Sequence, residues 1–145
     1  MAQPKEVIKF GGMEIHFCLD ADDTNKQLTM FKCVIHPNTK MPAPHYHEHF
    51  DETIYGLKGV ATYTIDGKTV EIAPGDSYFI PRGTVHGFAN KTSDTIEFLA
   101  FISPGLFGPD YFRDIAEIVN AGGPPDLAKI HEVMRKYSLV PVMGS

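Results

Sequence analysis

The sequence predicts an all-β fold followed by two short helices, and three features predict it. From about Val7 to Ile102, short runs rich in Val, Ile, Thr, Tyr and Phe are broken every several residues by Gly, Pro, Asn or Asp, the rhythm of strands separated by turns. Between two of those runs stands Asp66-Gly67. A tight type I′ hairpin needs positive φ at both central residues, which this pair tolerates, so the flanking strands are expected to be antiparallel. After Ser103-Pro104-Gly105 the period changes: Phe112, Ile115, Ala116 and Val119 fall at i, i+3, i+4 and i+7, the apolar stripe of a helix.

In chain order, the expected strands are Met13 to Leu19, Leu28 to His36, Thr53 to Leu57, Val60 to Ile65, Thr69 to Ile72, Ser77 to Ile80, His86 to Ala89 and Thr95 to Ile102. Pro109 suits the first turn of the first helix. Gly122-Gly123-Pro124-Pro125 would end it, and Asp126 could cap a second helix that carries Leu127, Ile130 and Met134 inward. Amphipathic stripes of this kind usually mean packing on a core, so the tail is read as two helices laid on the barrel.

The chain of 145 residues fits one compact domain, residues 1–145, with the barrel at about 7–103 and the helical tail at about 109–138. A formal net charge of −5 with no basic stripe disfavours nucleic acid and anionic membrane as partners. Met1-Ala2-Gln3-Pro4-Lys5-Glu6 has no apolar signal region, and no run of ~18 apolar residues occurs, so a cytoplasmic location is expected. Cys18 and Cys33 form no Cys-x-x-Cys pair and sit among alternating apolar residues, which favours buried, reduced thiols.

The chemistry is concentrated in Pro44-His45-Tyr46-His47-Glu48-His49-Phe50-Asp51-Glu52, where three imidazoles and three carboxylates fall close together. Residues two apart on a strand project to one face, so His45 and His47 can offer two nitrogens to one point. Glu52 follows His47 by an odd offset and needs a bend, expected at Phe50-Asp51. His86, after the turn-like Pro81-Arg82-Gly83-Thr84-Val85, could complete the set from a neighbouring strand. Three imidazoles and one carboxylate suit one divalent transition-metal ion (iron, manganese, nickel, cobalt, copper or zinc) better than calcium or magnesium.

His49 is the rival for a ligand position, since a straight strand would place it on the face of His45 and His47. His16, His36 and His131 read as surface or structural residues, and Asp20 to Asp23 as a solvated loop. Tyr55, Tyr63, Phe79, Phe88 and Phe101 are core or pocket aromatics. Phe88 is the best candidate for the pocket, because it shares a face with His86.

His45-x-His47-x4-Glu52-x6-Gly59 resembles the first motif of the cupin superfamily, and Gly75-Asp76-x4-Pro81-x-Gly83-x2-His86-x3-Asn90 resembles the second. The resemblance implies a cupin jelly-roll (double-stranded β-helix) barrel, with His45, His47, Glu52 and His86 as metal ligands and with Gly59, Gly75, Pro81, Gly83 and Asn90 as framework positions. It favours Glu52 over His49. One position departs: Thr39 stands where the pattern has glycine. The tail resembles that of small bacterial cupins described as quercetin-dioxygenase-like, and such proteins are often homodimers.

Four protein ligands leave open positions on an ion that prefers six. The expected activity is therefore that of a dioxygenase-like oxidoreductase acting on a small enolisable or phenolic compound, with Glu52 as ligand and, by the resemblance, as proton acceptor. A metal-dependent isomerase or lyase acting on a sugar or keto acid is the alternative enzyme class. A non-catalytic small-molecule-binding module is the third reading.

Overall fold

The computed structural model describes residues 4–41 and 43–142; Met1 to Gln3 of the N-terminal segment read above lie outside them. Two antiparallel sheets face each other. The larger runs β1 (Glu6–Phe10), β2 (Met13–Leu19), β3 (Thr29–Ile35), β10 (Ile96–Ser103), β5 (Asp51–Lys58), β8 (Ser77–Ile80) across its width. The smaller runs β11 (Leu139–Pro141), β4 (His45–His47), β9 (His86–Ala89), β6 (Ala61–Ile65), β7 (Lys68–Ile72). This two-sheet arrangement is the jelly roll that the strand rhythm and the motifs predicted.

The period-2 alternation sets which face turns inward. Met13, Ile15 and Phe17 of β2 and Ile96, Phe98, Ala100 and Ile102 of β10 are buried, and the residues between them are not. Asp66 and Gly67 have φ of 52° and 77°, so the β6–β7 hairpin turns on the pair that announced it. Asn90 holds the end of β9. Its amide donates to the carbonyls of Ile35 and Asp94 at 2.9 and 2.7 Å and its oxygen accepts from the Thr92 N–H and hydroxyl at 2.9 and 2.7 Å. Thr39, the departure from the motif, is accommodated by Gly12: a Cβ there would lie 2.5 Å from the Thr39 hydroxyl oxygen.

The tail forms α1 (Pro109–Val119) and α2 (Leu127–Lys136). Pro109 opens α1, and the Asp126 carboxylate accepts from the Lys129 N–H at 3.2 Å to cap α2. Tyr111, Phe112, Ile115 and Ala116 are the buried stripe of α1, and Ile130 and Met134 that of α2. Phe112 reaches Phe17 and Phe31, with ring centroids 5.8 and 5.2 Å away. Leu127 does not turn inward as expected. It is 55% exposed, because it lies in the first turn of α2 and no described element covers it there.

Two strands were not anticipated. β1 pairs with β2 at the sheet edge. β11, after the helices, returns to the smaller sheet and pairs with β4, Leu139 opposite His47 and Pro141 opposite His45. Cys33 is buried but Cys18 is only half-buried, since successive strand residues face opposite ways and β2 turns Phe17 inward. No described helix is long and apolar enough to cross a membrane.

Asn90→Ala would remove the donor to the buried Ile35 carbonyl and the acceptor of the Thr92 N–H at once. It is expected to lower unfolding stability by about 2–4 kcal/mol, as read by urea denaturation followed by circular dichroism.

Candidate metal centre

His45 and His47 project from β4 to the same face, and His86 stands directly across from His45 on β9. One ligand nitrogen from each of the three lies within 4.8 Å of the others, and all three side chains are buried. Glu52 comes from the opposite sheet, on β5, and its Oε1 lies 3.7 Å from Nε2 of both His47 and His86. That separation is too long for a hydrogen bond. It is shorter than the ~4.2 Å between two donors on opposite sides of an ion with bonds near 2.1 Å, so Glu52 is placed to share one divalent ion with these two rings, and the three imidazoles, within 4.8 Å of one another, need only a small inward shift to join it.

The odd spacing of Glu52 is resolved differently from the expectation. The bend falls at Glu48-His49, two residues earlier than predicted, and the chain there leaves the smaller sheet for the larger one. A change of sheet removes the parity rule altogether, because it holds only along one strand. The same bend leaves His49 exposed, so the rival for the ligand position does not enter the interior. Phe50 is fully buried instead, and the His47 ring stacks on it at 4.5 Å.

The rings are aimed by their second nitrogens. His45 Nδ1 lies 3.1 Å from the Ala43 carbonyl and His86 Nδ1 3.0 Å from the Thr84 carbonyl. A carbonyl only accepts, so in the neutral imidazole each Nδ1 carries the proton and each Nε2 presents its lone pair to the interior. The loop that delivers His86 is tied to the same strand: Gly83, at φ 85°, donates its N–H to the His47 carbonyl at 2.8 Å. On its other side, Arg82 donates from its backbone and guanidinium to Asp51, at 2.9 to 3.2 Å.

Electrostatics divide the three imidazoles. Burial, then repulsion from His86, lowers His45 from 6.5 to about 3, although the Ala43 carbonyl acts the other way. Burial and the other two rings push His47 down as well. On His86, burial also opposes the charge, but the neighbouring Glu52 carboxylate outweighs it and the net shift is upward.

The four side chains lie along a narrow cavity between the sheets. Phe88 lines it as predicted, with Phe98, Cys33 and Met41. Among the other aromatics, Tyr55 and Phe79 are 41% and 56% exposed, and Tyr63 is sealed in the core with no hydrogen-bond partner for its hydroxyl. Burial first, then the Glu52 charge, pushes the Cys33 thiol up, so it stays protonated and unreactive. The helices, read above as packing, also form cavity wall through Tyr111, Phe112, Ile115, Ile130 and Met134. No periodicity distinguishes that role from core packing.

His16, His36 and Asp20 to Asp23 stand apart from the centre. Glu14 bridges His16 and His36 at 3.1 and 2.8 Å, and Lys5 binds Asp20 and Asp23 at 3.2 and 2.7 Å.

A jelly roll with three histidines converging inside it defines a class of protein, and comparison with known sequences agrees. Residues 31–102 match the family model described as a cupin domain; the chain belongs to the cupin family. It is 37% identical over 73 residues to quercetin 2,3-dioxygenase of Bacillus subtilis (strain 168), which covers 50% of this chain and 21% of that protein. It is 40% identical over 70 residues to an uncharacterized protein of Aquifex aeolicus (strain VF5), covering 48% of this chain and 57% of that one. The matches thus span less than two thirds of either relative. Among solved structures, a predicted oxalate decarboxylase from Thermotoga maritima shares the fold with a TM-score of 0.61 and 27% identity, over 70% of this chain and 92% of that chain.

The sign of the His45 shift sets a pH dependence for the metal-free protein. Between the ordinary 6.5 and the folded value of about 3, the unfolded chain takes up a proton that the folded chain refuses, so stability falls as pH drops through that window. The raised His86 acts oppositely: its contribution is present below the ordinary value and is lost as pH rises through the raised one. Thermal melts from pH 6.5 down to 5 should show a falling Tm, and His45→Ala should flatten that slope.

Proposed function

We propose that His45, His47, Glu52 and His86 hold one divalent transition-metal ion, and that the protein is a metal-dependent enzyme with dioxygenase-like activity on a small enolisable or phenolic compound. The observation that carries this reading is the convergence of three buried imidazoles and one carboxylate at a cavity that is otherwise almost wholly apolar. Four such polar groups are costly to bury without a common partner. Similarity to the Bacillus subtilis quercetin 2,3-dioxygenase over the matched residues supports the oxidative chemistry.

When bound, the ion would supply Lewis acidity and open coordination positions. The chain's own residues do the rest. His45 and His86, anchored through Nδ1, hold two donors in place, while Phe50 fixes the plane of His47. A single carboxylate beside a divalent charge leaves the centre net positive, which favours a substrate that presents a deprotonated hydroxyl or an enolate oxygen. Glu52, its side chain only 13% exposed, is the one carboxylate placed to take the proton of that hydroxyl. Apolar walls exclude bulk water from the same space.

A second reading, metal-dependent decarboxylation or related lyase chemistry without net oxygen consumption, is favoured by the 27% identity to the predicted oxalate decarboxylase of Thermotoga maritima. Oxygen uptake separates the two.

Elemental analysis of purified protein should find one ion per chain in the wild type and none in His86→Ala; a full complement in that variant would remove His86 from the ligand set. In an oxygen electrode, a panel of flavonols, catechols and diketones should drive metal-dependent oxygen uptake. Glu52→Gln should slow that uptake by about 10²–10⁴-fold. Carbon dioxide release from small dicarboxylates with no oxygen consumed would instead establish the second reading.

A further inference from the structure

Much of the cavity wall beyond the four polar side chains comes from the tail: Phe107, Tyr111, Phe112, Ile115, Ile130 and Met134. None of these residues falls within the segment 31–102 that matches the family. Five of the six offer only hydrocarbon or a thioether, and Tyr111 alone brings an O–H donor.

Tyr111 is 8% exposed, and burial alone pushes its phenol ionisation up, with no hydrogen-bond partner among the described residues. The half-buried Tyr137 and the buried Tyr63 behave differently. Tyr137 donates to Asp114 at 2.9 Å, and Tyr63 is sealed in the core away from the cavity. Unlike the sealed hydroxyl of Tyr63, that of Tyr111 is open to solvent, and Tyr111 lines the cavity, so its O–H is free to meet a ligand there. Its ring is one aromatic removed from the metal centre: Phe107 lies 5.0 Å from Tyr111 and 6.4 Å from His47, centroid to centroid.

Building on the reading above, we propose that Tyr111 determines specificity by donating its hydroxyl proton to a neutral acceptor oxygen at the end of the substrate remote from the metal. The pocket then selects a single-ring compound with a metal-binding hydroxyl or enolate at one end and a carbonyl-type oxygen at the other. Phe107, which lines the cavity and is held by stacking on the buried Phe50 at 5.3 Å and 6°, supplies flat apolar surface beside that path.

The test uses the full chain loaded with zinc, which is redox-inert, and two probes read by absorbance titration: 4-nitrocatechol, with an acceptor opposite its hydroxyls, and 4-methylcatechol, without one. Tyr111→Phe keeps the ring and removes no hydrogen bond within the protein. It should weaken 4-nitrocatechol about 5–10-fold, the worth of one neutral hydrogen bond, and change 4-methylcatechol less than twofold. Comparing both ligands on both proteins cancels their different intrinsic acidities. Equal changes for the two catechols, or no change for either, would overturn the role of Tyr111 while leaving the metal centre standing. Failure of both to bind the zinc-loaded wild type would sink the proposed function, and this inference with it.

Discussion

Burying three imidazoles and a carboxylate in an apolar interior is the constraint around which this structure is arranged. Each of those groups loses its water, and a cluster of neutral rings around one charge is stable only if every nitrogen has somewhere to point. His45 and His86 solve half of the problem locally, spending one nitrogen on the carbonyls of Ala43 and Thr84 two residues before them. What remains is a set of inward lone pairs facing Glu52. Neutral nitrogens and one carboxylate around a small space are what a divalent ion requires of its surroundings.

The supports of that centre come from distant parts of the chain. β4 is three residues long, with β9 on one side and β11 on the other. The C-terminal strand therefore braces the ligand-bearing strand, and the two helices between β10 and β11 are carried over the cavity as the chain returns. Walling the cavity and bracing the ligand-bearing strand are consequences of one path. This links the tail, a packing element by its amphipathic pattern, to the site that it encloses.

Much of this was legible from residue order. Strand rhythm, the Asp66-Gly67 turn, the helical stripes and the i, i+2 spacing of His45 and His47 depend on local stereochemistry, which neighbours in sequence display, whereas His86 entered the ligand set through the motif resemblance. Glu52 shows where legibility stops. Its odd offset predicted a bend, but periodicity carries no term for a strand that ends and restarts in another sheet, and the bend was placed two residues late. β11 escaped for a related reason, since a three-residue strand ending in Pro141 has too little pattern to stand out and exists because β4 offers it an edge. Leu127 kept the helical period and still faces solvent, because a stripe states only which face is apolar and not how far the covering layer extends.

By itself, the order of amino acids determined the β character of the barrel, the two helices and the donor types for a divalent ion, because backbone preferences and ligand chemistry are properties of single residues and near neighbours. Only the tertiary structure decided that His49 lies outside while Glu52 reaches in from the facing sheet, and that the tail completes the cavity. Those outcomes depend on which surfaces meet across the barrel, and such meetings are settled by packing between residues far apart in the chain.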